Sequence, residues 1–173
     1  MGGRILVAGV GNVFFGDDGF GVQVAGRMAA EPMPDGVCVV DFGIRGVHLA
    51  YELLNGYDAV VLVDAVPRRG EPGTLHVIEA DTDDREPSAP GQDSPAMDAH
   101  GMTPDAVLAL LRTLGGSVDQ AFVVGCEPAD CSERMGLSTP VEASIDEAAA
   151  LVRGLVSELV GTASPEADFS SPR

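Results

Sequence analysis

The 173-residue chain has no lysine and no tryptophan. Its ten basic residues are all arginine, against 27 acidic ones, for a formal charge of −17 at pH 7. The missing lysine removes P-loop phosphate binding and Schiff-base chemistry together. A surface so short of clustered positive charge argues against nucleic acid or an anionic membrane as partner. No apolar run approaches the roughly 18 residues of a membrane helix, and Met1-Gly-Gly-Arg4 leads into a strand too short for a signal peptide, so a cytoplasmic protein is expected. Cys38, Cys126 and Cys131 are odd in number and form no C-x-x-C pair, which speaks against a disulfide framework and a structural zinc site. They are expected to be reduced thiols, mostly in the core. G-x-S-x-G and H-E-x-x-H are also missing, as is any signature pairing a cysteine with a histidine.

What is present suits one compact domain over residues 1–160, followed by a disordered tail at 161–173, with 45% hydrophobic residues to supply a core. Apolar, Val- and Leu-rich runs predict strands at Ile5–Val10, Val37–Asp41, Ala59–Asp64, Gly73–Glu79 and Ala121–Gly125. Three- and four-residue apolar steps predict helices at Val22–Ala30, Gly46–Leu54, Pro104–Leu114 and Val141–Val160, with Thr103-Pro104-Asp105 as an N-cap. Asp81–Ala99, acidic and rich in Pro and Ser, reads as a mobile surface loop. Alternating strands and helices imply an α/β fold, a three-layer α/β/α sandwich on a mostly parallel, twisted sheet of about five strands. Ligands of such sheets bind beyond the carboxyl ends of the strands.

The first strand ends in Gly9-Val-Gly11-Asn12-Val-Phe14-Phe-Gly16-Asp17-Asp18-Gly19-Phe-Gly21. Strand, tight turn and helix resemble a nucleotide-binding start, yet acids stand where a phosphate loop needs a cation. The third glycine of a dinucleotide fingerprint is replaced by Phe14. No nucleotide is expected, and a metal is indicated instead. Gly9, Gly11 and Asn12 are assigned to shaping the turn, while Asp17 is ambiguous.

Asp18 follows the first strand, Asp41 ends the second, Asp64 ends the third, and His100 precedes the helix that starts at Pro104, so these residues could meet on one rim. Two carboxylates with one imidazole form an N/O set suited to Ni, Zn or Mn, with positions left open for substrate. Each Asp could equally be a turn-maker or helix cap. Two carboxylates could also share a proton, as in a metal-free acid protease. His48, within a helical pattern, and His76, within a strand, are kept out of the site, as is Asp58, read as a turn residue. Asp41-Phe-Gly43 matches the kinase metal motif by letters only, because the lysine it needs is missing.

Gly9-x-Gly-Asn12 with Asp17-Asp18-Gly19-x-Gly21-Val22, Val40-Asp41-x-Gly43, Val63-Asp64-Ala65, His100 before a helix, and Gly136-Leu-Ser-x-Pro140-Val resemble the nickel-iron hydrogenase maturation peptidases, over nearly the whole chain to about residue 160. The resemblance implies Asp18, Asp64 and His100 as metal ligands. It also implies an endopeptidase that clips a C-terminal extension from a hydrogenase large-subunit precursor after nickel insertion, with the nickel carried by that substrate. Asp41 and Gly43 would lie near the substrate. The family commonly has a small hydroxyl residue after that glycine, whereas Ile44-Arg45-Gly46 follows here. Arg45 could pair with Asp41, contact a substrate carboxylate or be solvated. A hydrolase with a resident metal acting on small amides, and a non-catalytic nucleotide-binding module, are the other readings.

Overall fold

A computed structural model describes residues 3–83 and 103–162. Its strands are β1 (Ile5–Val10), β2 (Val37–Gly43), β3 (Ala59–Ala65), β4 (Leu75–Ala80) and β5 (Gln120–Cys126), and its helices are α1 (Phe20–Ala29), α2 (Gly46–Leu53), α3 (Pro104–Thr113), α4 (Thr139–Ala143) and α5 (Ile145–Thr162). The sheet order is β2-β1-β3-β5-β4, parallel except for β4 against β5. No helix crosses between β3 and β4. Their connection is the short loop 66–74, too short to return the chain for a parallel pairing, so β4 runs backward along β5.

Successive strand residues point to opposite faces, and both faces are covered. Ile5 and Val7 of β1 join Phe20, Val24 and Met28 of α1 and Val152 and Val156 of α5 in one core. Leu6 and Ala8 join Leu49 and Leu53 of α2 and Leu108 and Leu111 of α3 in the other. The result is a three-layer α/β/α fold. Helix α1 lies close against the sheet because Gly21 faces it: a Cβ there would collide with the carbonyl oxygens of Val63 and Val10. From β1 the chain moves to β2 on one side, then crosses back over β1 to β3 on the other. The ends of β1 and β3 therefore form the crevice where the strand order reverses.

Four expectations change. The helix expected over 141–160 is two helices broken at Ser144, whose hydroxyl donates to the Val141 carbonyl (2.7 Å) and competes with helix continuation. A 3-10 turn at Gly16–Gly19 precedes α1, which begins at Phe20. Helix α5 runs through Thr162, past the expected start of the tail, and residues 163–173 lie outside the described residues. Only Cys126 is a core thiol: Cys38 sits on the edge strand β2 and Cys131 in the loop after β5, both exposed. Most of the proposed surface loop, residues 84–99, also falls outside the described residues.

Candidate active site

A cavity of about 500 Å³ opens at the carboxyl ends of the parallel strands. Val10, Gly11, Asn12, Phe15 and Asp18 come from the end of β1 onward, Gly43, Ile44 and Gly46 from the end of β2 onward, and Asp64, Ala65 and Pro67 from the end of β3 onward. Pro128, Ala129, Asp130 and Cys131 follow β5, and Thr103, the N-cap of α3, completes the wall.

Asp18 and Asp64 meet here. The Asn12 main-chain N–H donates to Asp18 Oδ2 at 2.8 Å, and the Asn12 side-chain oxygen accepts from the Phe14 N–H at 2.9 Å, so one residue braces both the turn and the acid. Gly11 has φ +134°, and a Cβ on it would strike the Asp18 carbonyl oxygen, so no other residue lets the 3-10 turn fold back this closely. Gly9 serves packing instead: its Cβ would lie 2.6 Å from the Ala25 methyl of α1. Burial, and then the charge of Asp18, push the Asp64 carboxyl well above the ordinary carboxylate range, against a partial lowering by the Ala65 N–H.

His100 lies outside the described residues, and among those described no three His, Cys, Asp or Glu side chains are grouped closely enough to hold a metal ion. Asp41 is exposed on the edge strand and is not part of the cavity wall, while Gly43 is. Arg45 does not pair with the Asp41 carboxylate: its guanidinium donates to the main-chain carbonyls of Asp41 (2.7 Å) and Phe42 (3.2 Å). His48 is exposed on α2 and His76 lies on β4, both away from the cavity wall. Asp58 accepts from the Arg4 N–H at 2.6 Å, fastening the start of β3 beside β1.

Asp17 is fully buried and turned away from the cavity. It accepts from the N–H groups of Ala129 (2.8 Å), Asp130 (3.0 Å) and Ser138 (2.6 Å) and from the Ser138 hydroxyl (2.8 Å). Burial alone would raise this carboxyl, but the bonds from Ser138, Asp130 and Ala129 outweigh it and leave the acid below its ordinary value. Backbone bonds from Gly16 N to Arg134 O and from Arg134 N to Phe14 O, both 2.9 Å, extend the same junction. The Ser138 of the Gly-Leu-Ser stretch thus belongs with Asp17, a link that distance along the chain conceals. The wall 128–131 was missed as well, since nothing in Glu-Pro-Ala-Asp-Cys marks it as a site. Cys131 is exposed as a residue but its thiol is partly enclosed at the cavity wall; that enclosure, then Asp18, Asp17 and Asp130, push the thiol up to about 11.

Exposed Ile44 lines the cavity, exposed Phe14 and Val47 adjoin the lining residues Phe15 and Gly46, and exposed Met135 follows Arg134, whose N–H is bonded to the Phe14 carbonyl. Among the described residues no helix is long and apolar enough to cross a membrane.

Comparisons with known proteins agree with this geometry. The model of the hydrogenase maturation protease family matches residues 22–154. The hydrogenase expression/formation protein HupD of Rhizobium leguminosarum bv. viciae is 35% identical over 147 residues, covering 84% of this chain and 70% of that protein. The hydrogenase 2 maturation protease of Escherichia coli K12 is 30% identical over 147 residues, covering 84% and 85%. Among solved structures, the hydrogenase maturating endopeptidase HybD from E. coli superposes with a TM-score of 0.69 at 28% identity, over 90% of this chain and 93% of that one. With a five-stranded, mostly parallel sheet, a rim cavity that brings Asp18 and Asp64 together and these relatives, the chain belongs to the hydrogenase maturation protease family and is a hydrogenase maturation endopeptidase.

Proposed function

We propose that the protein removes the C-terminal extension of a nickel-iron hydrogenase large-subunit precursor once nickel is in place, and that Asp18 and Asp64, with His100, meet the substrate's nickel. The observation that carries this reading is the carboxylate pair in the cavity: burial and then the charge of Asp18 make Asp64 harder to ionise, and a divalent cation arriving with the substrate would offset that cost. Oxygen donors with one imidazole suit nickel and leave positions for the substrate's own ligands. Asn12 and Gly11 hold Asp18 in place, and the walls from β2, β3 and β5 would confine the polypeptide beside it. The apolar residues around the opening favour a protein over a small amide as substrate, since exposed apolar surface of this kind suits macromolecular contact.

The test is to mix the protein with a nickel-loaded large-subunit precursor and weigh the products by mass spectrometry. Loss of the extension with wild type, and its retention with Asp64→Asn and His100→Ala, is expected. An extension that stays on with wild type, or leaves with both variants, would sink the reading. Stoichiometric zinc or manganese surviving dialysis of the purified protein would favour a resident-metal amidohydrolase instead.

A further inference from the structure

The loop joining β3 to β4 carries the sequence's one adjacent basic pair, Arg68-Arg69. The other described arginines are engaged. Arg4 holds the carbonyls of Asn55 and Gly56, Arg27 and Arg153 pair with Glu31, Arg45 holds two carbonyls, Arg134 pairs with Asp130, and Arg112 has a partner as well. The side chains of Arg68 and Arg69 make no hydrogen bond or ion pair among the described residues, and both residues are exposed.

Their backbone, by contrast, is fixed with unusual effort. Glu127, only 5% exposed, accepts from the Arg68 N–H at 2.6 Å, and its own main chain bonds Thr74 O and Gly73 N, each at 2.9 Å. Val66 N donates to Cys126 O at 2.9 Å on the other flank. Arg69 has φ +60°, the one non-glycine residue in the left-handed region among those described, a conformation that persists only where its surroundings impose it. A buried acid and a strained backbone therefore hold two uncommitted guanidinium groups, which begin one residue beyond Pro67 in the cavity wall. On a molecule of charge −17, an acidic peptide is repelled nearly everywhere else.

We propose that Arg68 and Arg69 form a carboxylate-recognition element that selects the polypeptide bound in the cavity. Guanidinium groups bind carboxylates through paired, charge-assisted hydrogen bonds. This rests on the function proposed above. The carboxylate comes either from acidic side chains of the substrate's extension or from its terminal α-carboxylate, and both present the same chemistry. Arg68 and Arg69 are specificity residues that leave the cleavage step itself alone.

The experiment measures both binding and cleavage of a nickel-loaded large-subunit precursor by wild type, by Arg68→Gln/Arg69→Gln, and by Arg69→Gly, which keeps the backbone conformation while removing one charge. Thermal melts establish that each variant is folded. Removing the pair should weaken binding and raise KM about tenfold, as expected for losing hydrogen bonds to a charged group, with kcat within about twofold of wild type. The difference should shrink as salt rises. Two altered precursors identify the source: one with the extension's acids changed to amides, one with a Gly-Ser tail that moves the α-carboxylate away. Whichever removes the recognised group should reproduce the tenfold loss with wild type and add nothing to the double variant. Unchanged binding and KM in a folded double variant, or insensitivity to both altered precursors, overturns the inference. A wild type that binds the precursor through these arginines without cutting it refutes the proposed function but not the anion site, whereas a wild type that does not bind it refutes both.

Discussion

The 3-10 turn Gly16–Gly19 delivers adjacent acids to opposite tasks. Asp17 is enclosed by four donated hydrogen bonds, while Asp18 faces Asp64 across the cavity. Asp17→Ala would strand those donors inside the protein and should lower unfolding stability by roughly 3–5 kcal/mol, measured by urea denaturation. Because the folded Asp17 carboxyl lies below its ordinary value of 3.8, its contribution is present above that pH and is lost as pH falls through the lowered value. Wild type should therefore lose stability in that acid window, and Asp17→Asn should lose less there. Asp64 has the opposite sign. Its raised folded value means that stability is greatest below 3.8 and is given up as pH climbs through the raised value, so ionised Asp64 is a burden at neutral pH. Asp64→Asn should raise the melting temperature at pH 7, by roughly 0.5–2 kcal/mol in stability, with the gain fading toward acid pH. It should at the same time reduce precursor processing on the order of a hundredfold or more. A variant both less stable and inactive would point to Asp64 as a packing residue.

Among elements, α1 carries two glycines with opposite prospects. At Gly21 an added methyl meets main-chain oxygens of β1 and β3, neither of which can move without disturbing the sheet, whereas at Gly26 it meets nothing within 4 Å. Gly21→Ala should destabilise by about 4 kcal/mol or more or prevent folding, and Gly26→Ala should stabilise by about 0.5–1 kcal/mol, both read from denaturation midpoints. Strands β1, β3 and β5 were legible because burial on both faces leaves an unbroken apolar signature, and α3 because Thr103-Pro104-Asp105 is a local capping signal. The break at Ser144 was hidden, since the apolar spacing continues through it and only the hydroxyl's bond to Val141 interrupts the helix. The surface position of Cys38 was hidden for a different reason: β2 reads as a buried strand, but its place at the sheet edge depends on the order of the whole sheet.

For the molecule as a whole, the placement of Asp18 and Asp64 at one cavity could be anticipated, because Asp18 follows β1, Asp64 lies at the end of β3, and parallel strands end on one rim. The wall after β5 and the Asp17–Ser138 junction could not, because they exist only once distant segments are brought together. If the nickel belongs to the substrate, chelator-dialysed enzyme should process nickel-loaded precursor at the rate of untreated enzyme and leave nickel-free precursor intact, as judged by product mass. A requirement for added metal with loaded precursor would assign the ion to the enzyme instead.

The bond between Asp17 and Ser138 spans 121 positions of the chain. A ribosome releases the first strand, the 3-10 turn and Asp18 long before the segment that anchors them, and contacts so far apart in sequence close late. The nascent N-terminal half therefore carries both cavity acids without the wall that frames them. Proteolytic competence should arise only when nearly all of the described chain has emerged, so that synthesis itself times the appearance of the activity.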